Sequence, residues 1–197
     1  MRKPKDFIFS RPLETESAEK IHYLVENVLD DARHFSFVYP EDMHLSLVHQ
    51  SMLKNRKTPK RFSPHYSNFD ANRRLFVRGE DTTSPWDEGV VGYLGTEMLK
   101  YTLAIKTTSP SWLKNERRKI LQVAGIPKEN LNFNINLYRP HVSIAYFVGE
   151  TRDLKYVEQA ETELHRHLKD IGEIVLKPLQ LRSEIDNWTF TSNEVSS

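Results

Sequence analysis

Two tetrapeptides in the chain repeat one pattern. His44-Leu45-Ser46-Leu47 and His141-Val142-Ser143-Ile144 each run histidine, aliphatic, serine, aliphatic. In an extended strand residues i and i+2 share a face. His44 therefore projects with Ser46 and His141 with Ser143, while the four aliphatic residues turn toward a core. Chance supplies roughly 0.1 copies of such a pattern in a chain of this composition. Two imidazoles beside one pocket suit acid–base chemistry near neutral pH: one takes a proton from a nucleophile, the other gives one to a leaving group. The two hydroxyls can donate to the non-bridging oxygens of a phosphate between them. A phosphodiester next to a ribose 2′-hydroxyl brings its own nucleophile, already close to phosphorus. The residues thus point to RNA phosphodiester cleavage or opening of a 2′,3′-cyclic phosphate, with no metal and no other cofactor.

The elements that must hold these residues repeat as well. Phe7-Ile8-Phe9 reads as a strand. Residues 15–32 have helical periodicity, with Ile21, Leu24, Val25, Val28 and Leu29 on one face. Residues 43–49 then alternate as a half-buried strand. The order recurs from residue 101. Residues 101–105 alternate as a strand, and Ser109-Pro110 opens a helix. Its apolar face is Leu113, Ile120, Leu121 and Ala124, and Gly125 and Pro127 end it. After a loop, residues 140–146 form the second motif strand. From Phe9 to His44 is 35 residues, and from Ile105 to His141 is 36. This is the mark of a duplication, with two halves packed about a pseudo-twofold axis and the His-Ser pairs facing each other. The expected fold is α+β, mostly antiparallel sheets flanked by helices. It is one domain over 1–197 with lobe halves near 5–50 and 101–150. Residues 51–100 and 151–192 complete the sheets: a strand at 73–78, an insertion at 80–98, a helix at 155–170, and strands near 173–182 and 184–192.

Composition narrows the function classes. The chain has 197 residues, no Cys, and 28 basic against 27 acidic residues. Disulfides, thiol nucleophiles and Cys-based zinc sites are excluded. No apolar run is long enough to span a bilayer. Arg2, Lys3, Lys5 and Asp6 do not suit a secretory signal, so an intracellular protein is expected. A net charge of +1 favours no partner, so any basic surface is local. Lys54, Arg56, Lys57, Lys60 and Arg61 form such a patch just after the first motif strand: a solvated loop, an RNA-backbone contact or a nuclear localisation signal. His49 lies five residues past His44 and points to the opposite face of a regular strand. His165 and His167 sit two apart on a helix and cannot share a metal there. A zinc hydrolase needs a third ligand at metal spacing, and the sequence offers none.

The paired motif strands resemble the two-histidine phosphoesterase superfamily of RNA cyclic phosphodiesterases and LigT-like proteins. Within it the chain is most similar to the U6 snRNA phosphodiesterase family. The segments that carry the likeness are His44 to Leu47 with Gln50-Ser51 after them, and Pro140 through Gly149-Glu150. The tail Leu179 to Arg182 and Trp188-Thr189-Phe190 adds to it. The resemblance implies a two-lobed fold and a monomeric, nuclear 3′-to-5′ RNA exonuclease. Its partner would be the oligouridine 3′ end of U6 snRNA, trimmed to a 2′,3′-cyclic phosphate or a 3′-phosphate. It assigns His44 and His141 as the catalytic pair, Ser46 and Ser143 to the phosphate, and Tyr138 to stacking on a nucleotide. Two alternatives share the pocket: a LigT-like cyclic phosphodiesterase and a non-catalytic RNA-end binding module.

Overall fold

The computed structural model describes residues 7–29, 34–49, 69, 71–77, 92–93, 99–123, 126–149, 153 and 155–183. In chain order they form β1 (Phe7–Pro12), α1 (Thr15–Val28), β2 (Phe35–Phe37), a 3₁₀ turn (Pro40–Asp42), β3 (His44–His49), β4 (Arg73–Phe76), β5 (Gly92–Tyr93), β6 (Leu99–Lys106), α2 (Ser111–Val123), α3 (Lys128–Asn136), β7 (His141–Gly149), α4 (Lys155–Ile171), β8 (Glu173–Leu176) and β9 (Gln180–Ser183). The architecture is α+β, an antiparallel sheet flanked by helices. Among the described residues the main sheet runs β5-β6-β7-β3-β1-β9, with β2 also paired to β7; β4 and β8 pair separately.

From its centre the main sheet is palindromic. β7 and β6 lie on one side, β3 and β1 on the other. Each pair belongs to one strand–helix–strand unit, β1-α1-β3 or β6-α2-β7. The units meet where β3 and β7 run antiparallel, with Leu45 facing Val142. That contact involves only the first residues of each strand, because antiparallel strands that overlap at their starts then run apart. β7 continues beside β2, and the Val38 N–H donates to the Ile144 carbonyl at 2.9 Å.

Both central strands carry a bulge at the same step of the motif. On β1, Phe9 faces Val48 and Ser10 faces Ser46, so Leu47 is the extra residue. On β6, Leu103 faces Ala145 and Ala104 faces Ser143, so Ile144 is extra. A bulge shifts the alternation by one residue. Consecutive apolar residues can then both face inward, and Leu47, Val48, Ile144 and Ala145 are all buried.

The helices cover the apolar face through the periodicity seen in the sequence. α1 buries Ala18, Ile21 and Val25; α2 buries Leu113, Ile120 and Leu121; α4 buries Val157, Ala160, Leu164, Leu168 and Ile171. α1 packs against β2 and β7, and α2 packs against β3. Each unit's helix thus braces the central strand of the other unit. Residues 128–136 are a helix, not the loop expected. Asn at 130, 132, 134 and 136 alternates with Leu131, Phe133 and Ile135, a period-two pattern that hides it. Packing against α2 overrides the weak propensity of Asn: Leu131 and Ile135, four apart on one face, are both buried.

One buried ion pair ties this frame together. Arg11 on β1 is fully buried, and so, nearly, is Glu116 on α2. The guanidinium donates to both carboxylate oxygens, Nε to Oε2 at 2.8 Å and Nη2 to Oε1 at 2.7 Å. It also donates through Nη1 to the carbonyls of Ala71 and Lys177, each at 2.9 Å. The remaining acceptors are supplied by backbone, as a buried charge requires. Glu116→Leu and Arg11→Met should each lower stability by about 3–5 kcal/mol, because each strands a buried charge. The double variant should cost clearly less than their sum. Urea unfolding of the three variants reads this out; additive losses would show that the pair acts as two independent groups.

Candidate active site

The seam between β3 and β7 assembles the four residues singled out by the sequence. Leu45 facing Val142 in an antiparallel ladder sets His44 beside Ser143 and His141 beside Ser46. Leu45, Leu47, Val142 and Ile144 are 0% exposed, so the alternate side chains share the opposite face. His44, Ser46, His141 and Ser143 are all half-buried there. With about 3.4 Å per residue along a strand and about 5 Å across the ladder, the two histidine Cα atoms lie roughly 8–9 Å apart on the diagonal. One phosphodiester can sit between the rings. The local twofold axis passes between Leu45 and Val142 and exchanges the two His-Ser pairs.

The histidines are held alike. His44 Nδ1 lies 2.7 Å from the Asp42 carbonyl, and His141 Nδ1 lies 2.8 Å from the Arg139 carbonyl. In each case the acceptor is two residues earlier. A carbonyl oxygen only accepts, so each Nδ1 carries the hydrogen, and Nε2 is the nitrogen left to gain or lose a proton. Burial pulls the His141 pKa below its ordinary 6.5, and the bond to Arg139 only partly opposes this. His141 is therefore neutral at pH 7 and ready to accept a proton.

Among the described residues, the carbonyls of β3 past the seam have no neighbouring strand on the β7 side. Side chains take its place. The Tyr138 hydroxyl donates to the Ser46 carbonyl at 2.8 Å, and Arg117 Nη1 donates to the Leu47 carbonyl. The Arg117 guanidinium also sits over the Tyr138 ring, 4.4 Å from its centroid. Burial raises the Tyr138 pKa well above the usual phenol range, so it stays a neutral donor. Tyr138 is thus tied into the frame of the site, with one ring face against a guanidinium. The basic loop Lys54, Arg56, Lys57, Lys60 and Arg61 lies outside the described residues, as do Gln50-Ser51 and the tail beyond Ser183. Arg117 was not legible in the sequence, because nothing local marks a helix residue that caps a distant bulge. Among the described residues no group of three or more His, Cys, Asp or Glu is placed to hold a metal ion.

No protein-family model matches the chain, and no curated protein sequence matches it. Solved structures do. ATU0111 of Agrobacterium tumefaciens, a conserved protein of unknown function, is 13% identical over 94% of this chain and 84% of its own, with a TM-score of 0.59. Usb1 of Kluyveromyces marxianus, solved with uridine monophosphate, is 12% identical over 92% of this chain and 94% of its own, with a TM-score of 0.50. This chain has their fold. TT0787 of Thermus thermophilus is 14% identical over 90% and 87% of the two chains, with a TM-score of 0.49. At these identities the likeness to ATU0111 and Usb1 speaks for chain topology; the chemistry must be argued from the quartet itself.

An NMR titration of the imidazoles tests this geometry. Both rings should show the Nδ1–H tautomer when neutral, and the His141 midpoint should fall below 6.5. A His141 midpoint above that value would contradict its buried placement.

Proposed function

We propose that this chain is a metal-independent 3′-to-5′ RNA exonuclease of the Usb1 type, which trims the oligouridine tail of U6 snRNA in the nucleus. The observation that carries the reading is the symmetric pair of Nδ1-anchored histidines, each across the ladder from a serine. That arrangement offers two proton-transfer groups and two hydroxyl donors to a single phosphate. The uridine monophosphate in the Usb1 structure supports a uridine nucleotide as the occupant.

The reaction follows from the placement. His141 Nε2 takes the proton of the penultimate ribose 2′-hydroxyl, whose oxygen attacks phosphorus. Protonated His44 gives its Nε2 proton to the 5′-oxygen of the terminal nucleoside as the P–O bond breaks. Ser46 and Ser143 donate hydrogen bonds to the non-bridging oxygens as negative charge grows there. The products are a nucleoside and a 2′,3′-cyclic phosphate end. Water can open that end to a 3′-phosphate with the two histidines in exchanged roles. His141 is assigned as base because burial keeps it neutral, which leaves His44 as acid.

Incubating the protein with 3′-oligouridylated RNA in EDTA should give a ladder of shortened 3′ ends. Opening of cyclic phosphates without shortening would identify the LigT-like activity, and binding without change a non-catalytic module. His44→Ala and His141→Ala should each reduce the rate by several orders of magnitude, with the double variant little worse.

The pH profile should be bell-shaped. The rate rises with pH as His141 loses its proton, so the acidic limb lies below pH 6.5. The alkaline limb belongs to His44. Residual activity of His141→Ala should lack the acidic limb; loss of the alkaline limb instead would reverse the assignment.

A 2′-deoxy sugar at the penultimate position should block removal of the last nucleotide, whereas one at the terminal position should be tolerated. Full-rate cleavage of the penultimate deoxy substrate would mean that water, not the ribose, attacks.

A further inference from the structure

We propose that Lys106 forms a second anion subsite beside the quartet and binds the phosphate one nucleotide to the 5′ side of the bond being cut. The inference rests on the RNA cleavage proposed above and extends it to how the chain is oriented.

Two transverse rows cross the sheet on the face of the quartet. Lys106 faces His141 on the β6–β7 ladder, and Ser10 faces both Ser46 and Gln180 around β1. With His141 beside Ser46 at the seam, one row reads Lys106, His141, Ser46, Ser10, Gln180. The other reads Ala104, Ser143, His44, Pro12. The local twofold axis exchanges Lys106 with Pro12, and Ser10 with Ala104. The quartet is symmetric, but its flanks are not. One row is polar across five strands; the other ends in a methyl group and a pyrrolidine ring.

A symmetric quartet alone cannot decide which way a chain lies across it. The charged flank supplies that polarity. Lys106 is half-buried and has no hydrogen-bond or ion-pair partner among the described residues. An anion arriving with the substrate supplies the partner that this ammonium lacks. Facing residues on a ladder have Cβ atoms about 4.5–5.5 Å apart. The four-carbon stem of lysine therefore carries its charge past the neighbouring imidazole to the next group along the substrate. At the first cut, on an RNA ending in a 3′-hydroxyl, the enzyme meets only hydroxyls beyond the scissile bond. The second phosphate within reach is then the one on the 5′ side.

The test uses a uridine trinucleotide and the same molecule with a neutral methylphosphonate at its first linkage. Lys106→Ala should raise KM for the all-phosphate substrate about tenfold, as expected for one charge-assisted contact. The methylphosphonate should raise the wild-type KM similarly, and the two changes together should cost no more than either alone. Lys106→Arg should restore most of the loss, and Lys169→Ala, an exposed lysine in the last turn of α4, should behave as wild type. The slope of log KM against log salt should fall by about 0.7 in Lys106→Ala. Additive losses, or an unchanged KM, overturn the subsite. If the wild type leaves the trinucleotide uncut, the proposed reaction falls, and binding of the two trinucleotides to wild type and Lys106→Ala still decides the subsite: equal affinities overturn it.

Discussion

The overlap of β3 and β7 at Leu45 and Val142 is the contact on which the site depends. It is short, and it is made by the motifs themselves. Side chains alternate along both strands, so burying Leu45 and Val142 obliges His44, Ser46, His141 and Ser143 to share the other face. A slip of one residue would turn the imidazole and the hydroxyl of one strand toward the core and expose that strand's two aliphatic side chains. Such a slip is strongly disfavoured. The bulges at Leu47 and Ile144 then let each strand keep its apolar residues inward after the motif ends.

Holding so short a seam requires support from outside the ladder. α2 supplies it with two adjacent residues. Glu116 grips Arg11 on β1, and Arg117 caps the Leu47 carbonyl on β3. On the other side of the seam the equivalent carbonyl, that of Ile144, is capped by the backbone of Val38. The same geometric need is met once by a guanidinium and once by a peptide N–H. The two halves thus differ in side-chain detail while keeping the same strand geometry.

The sequence made the quartet legible because it was written in strand language: two polar residues at i and i+2, twice, at matching distances from an earlier strand. α1, α2 and α4 were legible for the same reason, since their apolar residues recur at helical spacing. α3 was not, because its asparagines alternate with aliphatic residues and only burial of Leu131 and Ile135 decides in favour of helix. β2 is three residues long and is a strand only because β7 offers an edge after β3 has left it. Arg11, Glu116 and Arg117 were invisible as a group. Each owes its role to a partner far away in the chain, and no local pattern records such partners. Tyr138 was noticed for its ring, yet its hydroxyl and its contact with Arg117 are what the fold employs.

The crossed packing of α1 on β7 and α2 on β3 bears on ancestry. A lone strand–helix–strand unit built this way leaves the apolar face of its helix without its strand. A one-unit ancestor would therefore be stable only as a twofold dimer, with identical histidine–serine strands meeting at the axis. Such a dimer must bind its substrate without preference for direction, since every group on one side has a twin on the other. A single chain with two unlike halves is free of that restriction. In it Pro12 and Lys106, or Ala104 and Ser10, can differ while the two histidine–serine pairs stay matched.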